Sequence, residues 1–162
     1  MRRGDPDRMF GATEQGTVAV LANQAIDFDV PARPDEVAVA RHVVVDHLTT
    51  RGVSSVVIDD IELVTSELVT NAIVHPLSAG RPDVVVHIHV DVSDAIVLSV
   101  ANVGPAHAIP PVDEWHPASP TALSGRGLGI VRRLCDDVAV EQHGDHAVVT
   151  CRRHLPDGGA MP

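Results

Sequence analysis

From Ile26 to Val30 apolar residues alternate with Asp27 and Asp29, and Val18, Val20 and Leu21 precede them, so a half-buried strand is expected over about 17–30. Pro31 and Pro34 break it. Val37, Ala40, Val44 and Leu48 then recur at helical spacing up to Gly52, which predicts a first helix over roughly 35–50. Ile58, Ile61, Val64, Leu68, Ala72 and Val74 form the apolar side of a longer second helix, from about Ser55 to His75, which Pro76 stops. The period next shortens to two. Within DVVVHIHVDV (83–92), Val84, Val86, Ile88, Val90 and Val92 share one face and Val85, His87, His89 and Asp91 the other. Ser93 and Asp94 make a tight turn into a partner strand, 95–103, so the two form a hairpin.

From Gly104 to Ser124 the pattern lapses. Pro105, Pro110, Pro111, Pro117 and Pro120 interrupt it, giving a loop of the length that usually covers a site or stays disordered. Gly125 to Gly129 leads into a short helix ending near Asp136. Two strands follow, Asp137 to Gln142 and Ala147 to Arg153, joined through Gly144 and Asp145. Hairpins with few crossovers indicate an α+β fold: a two-layer sandwich whose mixed, mostly antiparallel sheet carries helices on one face. One domain is expected over 17–155, between a polar, disordered leader (1–16) and a flexible tail (156–162).

Composition narrows the function classes. A chain of 162 residues that is 44% hydrophobic can build one sizeable core. A net charge of −10, with aromatics limited to Phe10, Phe28 and Trp115, argues against nucleic acid, which needs clustered cations and stacking platforms. All 12 cations are Arg, so no mechanism can use a catalytic or P-loop Lys. Cys135 and Cys151 lack the spacing of zinc or redox pairs and read as buried reduced thiols. No apolar run is long enough for a membrane span and no secretory pattern opens the chain, so the cytoplasm is the expected location.

Three segments carry candidate chemistry. Glu67, Asn71 and His75 lie four residues apart and so form one stripe on the second helix. Such a stripe can be a solvated helix face. It can also be a site, with the carboxylate accepting a proton from a nucleophile while the amide oxygen ligates a hard cation such as Mg²⁺. In Ser124-Gly125-Arg126-Gly127-Leu128-Gly129, alternate glycines at a helix start free backbone N–H groups for an anion, although glycines there can equally serve turning or close packing. Asn102 and Gly104 end a strand, where Asn often satisfies turn backbone. His87 and His89 share a strand face, but two His without a third ligand read as a sheet face rather than a metal site. Asp59, Asp60 and Glu62 complement the dipole at the start of the second helix.

The order of these segments, with the wording SELVTNAIVH and SGRGLGIVRRLCDDV, resembles the Bergerat-fold, histidine-kinase-like ATPases. Within them it looks most like the anti-sigma-factor serine/threonine kinases and their actinobacterial relatives, over roughly Asp27 to Arg153. The resemblance implies ATP and Mg²⁺ as cofactors, Glu67 as general base and Asn71 as the Mg²⁺ ligand. It further implies a phosphate cradle at Gly125, Arg126, Gly127, Leu128 and Gly129, a nucleotide-facing His75 and an ATP lid at 105–124. Asn102 falls where the family has an adenine-binding Asp, and Gly104 where a Gly lets the base lie against backbone; Pro105-Ala106 stands where a second Gly is usual. The implied function is a regulatory kinase that phosphorylates an anti-anti-sigma (STAS-type) partner and sequesters a sigma factor, with a homodimer as the family's assembly. The alternative is a weak or inactive nucleotide-binding module that sequesters a regulator without turnover, which Asn102 favours.

Overall fold

The computed structural model describes residues 19–21, 24–74, 81, 83–116 and 126–156; the expected leader, most of the tail, His75, Ser124 and Gly125 lie outside them. Strand β1 (Ala19–Leu21) turns back into β2 (Ala25–Pro31), pairing Ala19 with Asp27. The single strand expected over 17–30 is therefore a short hairpin. Its two apolar sets are separated by Ala22, Asn23 and Gln24, and the Gln24 carbonyl accepts hydrogen bonds from Val92 N (2.9 Å) and His47 Nε2 (3.2 Å). That fixes the turn against its neighbours.

Two helices follow, α1 (Glu36–Thr50) and α2 (Ser55–Val74), then β3 (Val85–Val92) and β4 (Ala95–Val103). Helix α3 (Arg126–Leu134) leads to β5 (Asp137–His143) and β6 (His146–His154). The six strands are ordered β1-β2-β3-β4-β6-β5, and every pairing among the described residues is antiparallel. The sheet expected to be mixed is thus antiparallel throughout that range. The α+β, two-layer class stands.

Alternation places the core. Ile26, Phe28, Val30, Val86, Ile88, Val90, Ile96, Leu98, Val100, Val149 and Cys151 are buried on one sheet face. Ala40, Val44 and Leu48 of α1 and Ile61, Val64, Leu68 and Ala72 of α2 close over them. Each such aliphatic side chain contributes roughly 1.5–3 kcal/mol of transfer free energy. Helix α2 also buries Val57, Val69 and Ile73, while Val74, expected on its apolar side, is 61% exposed. The buried arc widens to Thr65, Val69 and Ile73 beside Val64, Leu68 and Ala72, and Val74, two residues past Ala72, falls on the outer side.

The opposite sheet face is polar. Asp27 and Asp29 of β2 stand in register with His89 and His87 of β3, and the carboxylates accept from His89 Nδ1 at 2.7 Å and His87 Nδ1 at 2.5 Å. Cys135 and Cys151 are both free and buried. The Cys151 thiol donates to the Cys135 sulfur, which holds Cys135 below the usual thiol range and, with burial, pushes Cys151 well above it. Asp60 does more than face a helix dipole: it accepts from Arg153 Nη2 at 3.0 Å while Arg153 Nη1 donates to Leu134 O at 2.9 Å. One guanidinium thereby ties α2, α3 and β6 together. No described helix is long and apolar enough to cross a membrane.

Of the two expectations for the proline-rich loop, an ordered cover or a disordered segment, its first half is folded. Pro105 and Pro111 each start a single 3-10 turn, Ala106–Ala108 and Val112–Glu114. Proline's fixed φ suits that starting position. Trp115 is 3% exposed and its Nε1 donates to Pro110 O at 2.8 Å, while Arg132 Nη1 donates to Asp113 O at 2.9 Å. Gln142 latches the loop's start: its Oε1 accepts from Ala106 N at 2.6 Å, and its Nε2 faces the carbonyls of Gly104, Gly144 and His146 at 3.3, 2.9 and 3.0 Å.

We expect Gln142→Ala to lower unfolding free energy by about 1–2 kcal/mol, read from urea denaturation, because backbone groups lose their partner. Gln142→Glu should cost at least as much, since a carboxylate oxygen then faces three carbonyls. Wild-type stability in the Glu variant would refute the latch.

Candidate functional site

The interior stripe of α2 and the end of β4 meet beneath the folded half of the loop, and a cleft opens there. Its volume is about 250 Å³. Leu68 and Ala72 line it from α2, Val100 from β4, Val149 from β6, Ala108, Ile109 and Pro110 from the loop, and Leu128 from α3. Those walls are apolar. Three lining residues differ in character: Asn102 in the wall, and Asn71 and Gly127.

Asn71 is solvent-exposed while Asn102 is only 6% exposed. Helical spacing explains the first, because Asn71 borders the buried Ala72 and Leu68 and so sits where α2 passes from core to solvent. Strand alternation explains the second, since Asn102 continues the inward series Ile96, Leu98 and Val100. Its Nδ2 donates to Val103 O over a long 3.4 Å. An inward polar group this weakly engaged is costly unless something else satisfies it.

Glu67 lies one turn before Asn71, half-buried, and its carboxylate rests directly over Gly127. A methyl group built on Gly127 would overlap Glu67 Oε2 and come within 3.1 Å of its Cδ. A side chain at position 127 would thus displace the carboxylate, and α3 packs against α2 here with no side chain between them. Gly104 closes β4 with φ 142°, a backbone region that side chains resist, and its N–H donates to Asp145 O at 2.9 Å. That conformation turns the chain from the sheet into the loop roofing the cleft.

Among the residues singled out from sequence, the structure thus gathers Asn71, Asn102, Gly127 and Leu128 around one cleft, with Glu67 against Gly127 beside it. Gly104 sits at the end of β4, Gly129 is buried in α3, and Arg126 starts α3 with an exposed side chain. His75 and Gly125 lie outside the described residues. Two contributors escaped the sequence reading. Ile109, with its neighbours Ala108 and Pro110, walls the cleft, and Gln142 holds that segment's base. Pro110-Pro111 between apolar residues was a usable signal for an ordered segment; nothing near Gln142 marks it.

Comparisons with known proteins bear on the family and the fold. The family model described as "Histidine kinase-like ATPase domain" matches residues 30–153. The chain is 28% identical over 130 residues to a serine-protein kinase RsbW from Oceanobacillus iheyensis, a match covering 74% of this chain and 80% of that protein. In fold it is similar to the RsbU and RsbW domains of a Mycobacterium tuberculosis protein, with TM-score 0.62, 16% identity and 82% of this chain covered. It spans only 33% of that longer chain. It is also similar to the SiaB–SiaC complex from Pseudomonas aeruginosa, with TM-score 0.58, 14% identity, and 80% of this chain and 89% of that one covered. At these identities the structural likenesses speak to fold alone.

Gly127→Ala should destabilise the protein by about 1–3 kcal/mol, the usual range for overpacking, because Glu67 must move aside. Measured by urea unfolding in a double-mutant cycle, most of that loss should vanish in a Glu67→Ala background. Full additivity would show that the two residues do not press on each other.

Proposed function

Because the chain belongs to the histidine kinase-like ATPase domain family, we propose that it is an ATP-dependent regulatory serine/threonine protein kinase of the anti-sigma-factor type. Its substrate on this reading is an anti-anti-sigma, STAS-type partner, and it sequesters a sigma factor when that partner is absent. The observation that carries the proposal is Glu67 seated on Gly127, with Asn71 one turn along at an apolar cleft. The similarity to a serine-protein kinase RsbW supports the choice of chemistry, and the same fold in the SiaB–SiaC complex suits a role built on partner binding.

The residues suit Mg-ATP. The first turn of α3 presents backbone N–H groups at a helix start, where an anion is favoured, and an amide oxygen beside a carboxylate is a hard-cation donor set. When bound, Mg-ATP supplies the phosphoryl group and the countercharge for its transfer. Asn71 holds the cation through its side-chain oxygen. The backbone N–H groups at Gly127, Leu128 and Gly129, at the start of α3, would hold the phosphate oxygens, with Arg126 beside them. Glu67 takes the proton from the partner's serine hydroxyl and is kept in place by its seat on α3. Asn102 would meet the edge of the base, with Ala108, Ile109 and Pro110 of the loop lining the same cleft.

The buried neutral amide at Asn102 favours a second reading, a nucleotide-binding module that sequesters its regulator without turnover. Transfer separates the two. With labelled Mg-ATP and a STAS-type partner, the wild-type protein should phosphorylate a serine. Glu67→Gln should cut the rate by about 100-fold or more while changing ATP affinity by less than about threefold. Binding without transfer would leave the module reading, and no binding at millimolar Mg-ATP would end both.

A further inference from the structure

Asn102 is the polar side chain sealed into the cleft's apolar wall, between Val100 and the loop residues Ala108 and Ile109. Apolar walls with one polar group suit a flat heteroaromatic ring read along one edge. The polar group here is an amide. It presents a hydrogen-bond acceptor beside a donor, whereas a carboxylate presents acceptors alone.

That difference bears on which purine fits. A 6-aminopurine offers a donor at N6 beside an acceptor at N1. A 6-oxopurine reverses the order, with an acceptor at O6 beside an N1–H donor. Turning an amide by half a rotation exchanges its own donor and acceptor, so the same side chain can match either edge. A carboxylate has no such freedom and would face O6 with like partial charge. What holds the present orientation of Asn102 is one hydrogen bond among the described residues, Nδ2 to Val103 O at 3.4 Å, longer than the usual span for N–H···O. Rotation therefore forfeits little.

We infer that the cleft accepts 6-oxopurine nucleotides alongside adenine nucleotides, with Asn102 as the residue that sets this tolerance. The inference rests on reading the cleft as a nucleotide site and names the class of base it takes. It requires no change in Glu67, Asn71 or the glycines, which act at the phosphate end.

Titration calorimetry of the whole chain with Mg-ATP and with Mg-ITP tests it; inosine differs from adenosine at the 6-position and N1 and adds no 2-amino group. Wild-type protein should bind the two within about tenfold of each other, the span of one neutral hydrogen bond. Asn102→Asp should tighten ATP and weaken ITP, widening the ratio to about 30-fold or more, as a charged acceptor replaces a reversible amide. If the buried carboxylate prevents folding, the wild-type ratio still decides. ITP weaker than ATP by about 100-fold or more overturns the tolerance and leaves the nucleotide site standing. Failure of both at millimolar concentration overturns the site reading itself.

Discussion

The Glu67 carboxylate occupies the volume that a side chain at position 127 would need, and the packing of α3 on α2 beside the cleft turns on that contact. It sets how near α3 can come to α2, and so where the first turn of α3 stands relative to Asn71. Arg153 secures the other end of the same helix through Leu134 O and reaches Asp60 on α2. Helix α3 is thus held at its start by a missing side chain and at its finish by a shared cation, which also complements the negative end of its dipole.

Charge is divided between the two layers with the same economy. Cations are all Arg, and several span elements: Arg41 to Glu62 at 3.2 Å joins α1 to α2, and Arg152 to Asp94 at 3.3 Å joins β6 to the hairpin turn. Such exposed pairs contribute little stability singly. The polar sheet face uses His and Asp in register instead, matching donor to acceptor across β2 and β3 where helices do not cover them. Asp94 is held below the usual carboxylate range by the Ser93 hydroxyl first, then its own backbone N–H and Arg152.

Periodicity exposed most of this fold in the sequence. Helices α1 and α2 and the β3–β4 hairpin are legible because each buries one regular face, and Glu67, Asn71 and Gly127 stand out because the first two share a polar stripe at i,i+4 and the third belongs to a run of alternate glycines. What stayed hidden was set by contacts between distant segments. Strand β1 pairs back on β2, which no local pattern distinguishes from one longer strand. Trp115 and Gln142 order the loop through hydrogen bonds to Pro110 O and Ala106 N, and proline content alone reads as absence of structure. The exposure of Val74 follows from helical geometry itself, which sets it about 200° round the axis from the buried Ala72.

The cleft takes its walls from α2, β4, the loop at 108–110, α3 and β6, segments separated by some eighty residues of chain between Leu68 and Val149. Whatever fills it clasps parts of the molecule that drift apart on unfolding, so occupancy and foldedness are linked by mass action. At a hundredfold excess over Kd an occupant adds about 2.7 kcal/mol, a sizeable share of a small domain's stability. In a cell the chain's resistance to proteolysis, and with it the number of copies available to act, rises and falls with the supply of its ligand.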